Sequence, residues 1–101
     1  LADGSWAGVQ AAPHELVINL GDMLARWTNG RWRSTLHRVV NPPDLADAMS
    51  RRQSIGYFMH PNFDTRIECF PTCIEADETP HYPTVTAGEH IAMKIEKSHN
   101  A

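Results

Sequence analysis

Only two of the 101 residues are cysteines, Cys69 and Cys73, and that scarcity excludes a disulfide-stapled scaffold. Their spacing, CFPTC, is not the usual zinc knuckle either. They are expected to be reduced, partly buried thiols in a cytoplasmic protein. No apolar run approaches the ~20 residues of a membrane span, and no secretory pattern stands at the start. Internal repeats and low-complexity stretches are missing as well. What is there is an ordinary apolar fraction, 42%, in a chain long enough for one domain. A domain of this length buries about two-thirds of its chain surface. The chain opens at Leu1 on LADGSW, without a methionine, and this start is expected to be a cut or truncation.

The formal charge of −3 is unevenly spread. Arg26, Arg31, Arg33, Arg38, Arg51 and Arg52 fall within the first 52 residues; Asp64, Glu68, Glu75, Asp77, Glu78 and Glu89 crowd the rest. A basic half can signal nucleic acid. These arginines lack aromatic interleaving on one face, so dispersed, partly solvated strand arginines are expected, with neither a nucleic acid nor a membrane as partner.

Hydrophobic alternation predicts several strands. In ELVINLG, Leu16, Ile18 and Leu20 share a face. In RWRSTLHRVV, Arg33, Thr35, His37 and Val39 point one way and Trp32, Ser34, Leu36 and Arg38 the other. RQSIGYFMH places Arg52, Ser54, Gly56 and Phe58 together, and TRIECF is a fourth strand before Pro71. Between the first two, GDMLARWTNG reads as a short helical turn with Asp22 as N-cap and Gly30 as its stop. NPPD breaks the second strand, LADAMSR is a loop or a turn of helix, and EADETPHYP is loop. TAGEHIAMKIEK carries a capping box, Thr86 with Glu89, and an Ile91–Ile95 stripe, so it is a C-terminal amphipathic helix. Short antiparallel strands with one trailing helix suggest a jelly-roll or barrel.

The chemistry lies in two of these strands. A lone strand histidine such as His37 is more often structural than a ligand. Arg52 and Ser54, at i and i+2, project from one face, and a guanidinium fork plus a hydroxyl suits a single carboxylate. An imidazole on a neighbouring strand would set a metal ligand beside that carboxylate.

With those residues in view, the sequence resembles the isopenicillin N synthase-like branch of the non-haem iron, 2-oxoglutarate-dependent dioxygenases. The resemblance is carried by VINLGDMLARWTNGRWRSTLHRVVNPP, RRQSIGYFMHPNFDTRIECFP and YPTVTAGEH, which span nearly the whole chain in the family's order. It implies a mainly β fold, a double-stranded β-helix (jelly-roll) half-barrel with a C-terminal α-helix. It implies that His37, in the TNG…S..HRV context, is the distal iron ligand. It further implies that Arg52 and Ser54 hold the distal carboxylate of 2-oxoglutarate. Fe(II) is then the cofactor, 2-oxoglutarate the co-substrate, and dioxygen and a small organic molecule the other reactants. Such sites use two histidines and a carboxylate on one face of the metal, leaving positions open.

The family's other two ligands come as His-x-Asp, and none of the six histidines here has a carboxylate two residues on. Residues 1–101 are therefore expected to be the C-terminal portion of the dioxygenase domain, after its His-x-Asp half, and inactive alone. The upstream tyrosine that often assists the co-substrate is also absent. Self-association, or pairing with the missing N-terminal half, is expected to cover the open strands.

Other candidates each carry two readings. Asn19 lines the co-substrate pocket or bonds to backbone; Phe58 walls the pocket or packs in the core. His60 is expected in a turn, and His14, His81, His90 and His99 in solvent. Trp27 and Trp32 are packing anchors, and Arg38 faces solvent or a carboxylate away from His37. Two rival functions stay open. One is an iron oxidase without 2-oxoglutarate, as in isopenicillin N synthase and the ethylene-forming aminocyclopropane carboxylate oxidase, where the Arg-x-Ser pair takes a substrate carboxylate. The other is a non-catalytic jelly-roll interaction module.

Overall fold

The computed structural model describes residues 1–40 and 53–100. Its elements are α1 (Asp22–Trp27), β1 (Arg66–Ile67), a 3₁₀ turn (Pro71–Cys73), β2 (Val85–Thr86) and α2 (Ala87–His99). None of the described helices is long and apolar enough to cross a membrane.

Helix α1 begins one residue earlier than expected. Gly21 is its N-cap, and Asp22 lies in the first turn, where a carboxylate favours the positive end of the helix dipole. The stop is a Schellman motif. Asn29 donates its N–H to Arg26 O at 3.2 Å and Gly30 donates to Ala25 O at 2.8 Å. Both residues have positive φ, 52° and 80°. That left-handed pair suits asparagine and glycine and few other residues.

The core is small and sits between α1, the β1–β2 pair and the start of α2. Ile67 (1% exposed), Ala87 (0%), Ala25 and Cys69 form it. The strands pair antiparallel with Arg66 opposite Thr86 and Ile67 opposite Val85. Ala87 and Gly88 continue the connection by donating to Thr65 O and Phe63 O, each at 2.9 Å. A side chain at Gly88 would press on Phe63 O at 3.2 Å. The Trp27 and Phe70 rings stack at 5.9 Å, and Phe70 N–H donates to Trp27 O at 2.8 Å. Trp27 is thus the expected packing anchor, whereas Trp32 is 53% exposed.

The capping box forms as the sequence predicts. Thr86 Oγ1 accepts from Glu89 N–H at 3.2 Å, and Glu89 Oε2 accepts from Thr86 N–H at 2.7 Å. The inward face of α2 differs from the expected isoleucine stripe. Ala87 and His90 are buried and Ile91 half-buried, while Ile95 is 53% exposed. Lys94, on the same i, i+3, i+4, i+7 face, pairs with Asp22 of α1.

His90 was expected in solvent and is instead buried. Burial lowers its pKa below the ordinary 6.5, Arg26 lowers it further, Asp22 opposes the shift and Lys94 adds to it. The unfolded chain therefore takes up a proton near pH 6.5 that the folded chain resists. Stability should fall as pH drops below that value, until the folded imidazole also protonates. Asp22, whose carboxyl is held low by Lys94 and then Ser34, adds a second loss at more acidic pH. Thermal melts between pH 7.5 and 5 check this. A His90→Gln variant should flatten the fall near pH 6 and leave the deeper acid loss in place.

The predicted strands over ELVINLG, RWRSTLHRVV and residues 53–60 form no ladder among the described residues. The physical reason is the lack of pairing partners: a strand's N–H and C=O groups need neighbours, and the apolar faces here have none. Leu16 is 88% exposed, Ile18 82%, Leu36 82% and Ile55 92%. The whole chain exposes 9345 Å², against about 5,700 Å² for a compact chain of its mass. Its radius of gyration is 17.4 Å, where about 13 Å is usual for this length. The half-barrel is accordingly not closed among the described residues.

Candidate iron and co-substrate site

His37 lies in the unpaired segment that leaves the Schellman turn. Its ring is exposed, and Nδ1 rests 3.0 Å from Thr35 O. A carbonyl oxygen only accepts, so this contact is made by Nδ1–H, and in the neutral ring it leaves the Nε2 lone pair for a metal. This is the arrangement in which an imidazole is prepared to bind a metal through its other nitrogen.

Arg52 lies outside the described residues, as do NPPD and LADAMSR. Ser54, Asn19 and Phe58 are all exposed on unpaired segments. Phe58 stacks on His60 with ring centroids 6.1 Å apart. Among the described residues, no group of three or more histidine, cysteine or acidic side chains is close enough to hold a metal ion. One free imidazole nitrogen fits iron as a single ligand; it does not make a facial triad.

The turn that precedes the His37 segment is held by several contacts. Thr28 is buried; its hydroxyl donates to Leu24 O at 2.8 Å and accepts from Trp32 N–H at 3.1 Å. Arg38 is exposed, one of the two expected outcomes, and its guanidinium lies over the Trp6 ring, 4.1 Å from the centroid. The acidic loop is strapped to α1. His81 N–H donates to Asn29 Oδ1 at 2.8 Å, Arg26 donates to Pro83 O at 3.0 Å and sits over the Tyr82 ring, and Arg31 pairs with Glu75 at 3.0 Å. His81 pairs with Glu78 at 2.9 Å, and His99 Nδ1 lies against Ile95 O. The cysteines are free, Cys69 buried and Cys73 half-buried. Burial pushes the Cys69 thiol up, with Cys73 and Glu78 adding to the shift.

Sequence reasoning missed Thr28 and the Asp22–Lys94 pair. Thr28 had a local signal, a hydroxyl four residues after Leu24 and four before Trp32. Asp22 and Lys94 had none, because nothing local ties residues so far apart.

Comparison with known proteins decides the family. Residues 1–61 match the 2OG-Fe(II) oxygenase superfamily. The chain belongs to that superfamily. Its members use Fe(II) with 2-oxoglutarate as co-substrate, and the family fold is a jelly-roll. Kihadalactone A synthase LFS of Citrus sinensis is 37% identical over 92 residues, which are 91% of this chain and 25% of that protein. The 2-oxoglutarate-Fe(II) type oxidoreductase hxnY of Emericella nidulans is 34% identical over 95% of this chain and 26% of its own length. The 1-aminocyclopropane-1-carboxylate oxidase 1 of Malus domestica is 34% identical over 92% of this chain and 29% of its own. The chain thus spans about a quarter of the length of the curated relatives it matches. No solved structure matches it.

Proposed function

We propose that residues 1–101 are the C-terminal portion of a Fe(II)/2-oxoglutarate-dependent dioxygenase acting on a small organic substrate. His37 supplies one iron ligand through Nε2. Arg52 and Ser54 grip the far carboxylate of 2-oxoglutarate, and Asn19 and Phe58 line the pocket around it. The other two iron ligands, a His-x-Asp pair, come from residues outside these 101, and the chain alone is inactive. The observation that carries the reading is the pairing of family membership with a histidine whose Nδ1–H is taken by Thr35 O.

When bound, iron and 2-oxoglutarate supply dioxygen activation coupled to oxidative decarboxylation. The chain's own contribution is orientation. A charge-assisted clamp on the far carboxylate would fix the direction in which 2-oxoglutarate lies. The apolar residues on the open segments, once covered, exclude water from the reacting end. Covering comes from other strands, either the His-x-Asp half or a sister copy. The two free thiols support a cytoplasmic setting.

The similarity to the apple oxidase favours a second reading, in which the clamp takes a substrate carboxylate and 2-oxoglutarate is not consumed. Succinate release by the full chain separates the two. Iron-dependent succinate formation from added 2-oxoglutarate is expected. Turnover with dioxygen uptake and no succinate would establish the second reading instead.

A further inference from the structure

We infer that Thr28 is a positioning residue for His37. The inference rests on the proposed iron-binding role of His37 and names the device that aims its segment. Thr28 is 7% exposed at the C-cap of α1. Its one hydroxyl joins two pieces of chain, donating to Leu24 O in the last helical turn and accepting from Trp32 N–H. His37 follows five residues later. The reversal between them is set by Asn29 and Gly30, both at positive φ, and Asn29 is itself tied to the His81 backbone. The segment therefore leaves the helix in a fixed direction.

Beyond Trp32, Ser34 lies near enough to Asp22, which pairs with Lys94 of α2, to help hold that carboxyl low. The segment is thus held at Trp32, and the His37 ring beyond it is exposed. A metal ligand must sit within a fraction of an ångström of its productive position. Losing the Thr28 hydroxyl would let the segment pivot about Gly30 and displace the imidazole.

The test loads the full chain, joined to its His-x-Asp half, with Co(II) as a spectroscopic stand-in for Fe(II). Affinity and the visible absorption spectrum are measured for Thr28→Val, Thr28→Ser, Ser34→Ala and His37→Ala. Thr28→Val should weaken Co(II) binding about threefold or more, short of the roughly 10–100-fold lost when a group bonded directly to a ligand is removed. Its spectrum should shift, and Thr28→Ser, which keeps the hydroxyl, should restore both. Ser34→Ala, at an exposed position that leaves the core untouched, should move both readouts in the same direction by less. If His37→Ala abolishes tight binding while folded Thr28→Val and Ser34→Ala keep wild-type affinity and spectrum, the positioning role is overturned and the ligand role stands. Equal losses in Thr28→Val and Thr28→Ser would assign the effect to packing and overturn it too. Unchanged Co(II) binding in His37→Ala would overturn the ligand reading and this inference together.

Discussion

Replacing Arg52 with alanine in the full chain is expected to raise the apparent KM for 2-oxoglutarate by about 30-fold to a few thousandfold. Truncating one partner of a buried charge pair costs roughly 2–5 kcal/mol, and each 1.4 kcal/mol is tenfold. The guanidinium offers two donors in a plane that matches a carboxylate, and lysine, a point charge, would restore only part of the affinity. Ser54→Ala should act in the same direction with a smaller effect, since it removes a single hydroxyl bond. The substrate's own KM should change far less than that of 2-oxoglutarate. Steady-state kinetics with 2-oxoglutarate as the varied reactant give the answer. An unchanged 2-oxoglutarate dependence in Arg52→Ala would remove this residue from the clamp.

The second large effect concerns the chain by itself. At micromolar concentration the 101-residue chain should sediment as a dimer or larger species. Its exposed surface exceeds that of a compact chain of 11.3 kDa by about 3,600 Å². Obligate interfaces bury about 2,000–5,000 Å² summed over both partners, about 1,000–2,500 Å² from each, so the excess is more than enough for one side of a permanent interface. The uncovered side chains are large and apolar, among them Leu16, Ile18, Leu36, Val39, Ile55 and Phe58. Burying each is worth about 1.5–3 kcal/mol, and strand edges recruit other chains when left open. A copy of the same chain is the partner at hand in a purified sample; the His-x-Asp half, added separately, should compete with it. Sedimentation equilibrium reads the mass directly. A monomer of 11.3 kDa with a cooperative melt would show that the open segments close on themselves.

The parts of this fold that were legible in the sequence are those fixed locally. Thr86 and Glu89 announce the start of α2 because the capping box needs only residues three apart. The Thr-Asn-Gly run announces the end of α1 because two successive left-handed residues admit few side chains. The proline-broken loop from Glu75 to Pro83 follows for the same reason. Thr86 was legible only as the start of the helix, and the pairing of Val85–Thr86 with Arg66–Ile67 depends on a contact across the chain that no local pattern reveals. His90 looked like one more solvated helix residue, yet it is buried and feels the charges of Arg26 and Asp22 of α1 and of Lys94 one turn along α2. For the segments over Leu16–Leu20 and Arg31–Val40, the alternation was plain, but alternation specifies a face and not the strand that covers it. Of the proposed site residues, His37 was picked out only by its motif context, whereas Arg52 and Ser54 also had their i, i+2 spacing on one face. Composition and spacing alone would have left His37 a structural histidine, and its Nδ1 contact with Thr35 O adds the orientation that spacing could not supply.

The most direct measurement of His37's role is an anaerobic calorimetric titration of Fe(II) into the 101-residue chain and into the full chain, each with and without His37→Ala. One imidazole cannot supply a facial triad, so weak, non-specific binding is expected for the 101 residues alone. A tight, sub-micromolar site is expected only in the full chain with His37 intact. A sub-micromolar site in the 101-residue chain, or one in the full chain that survives His37→Ala, would contradict the assignment of His37 as one of three ligands.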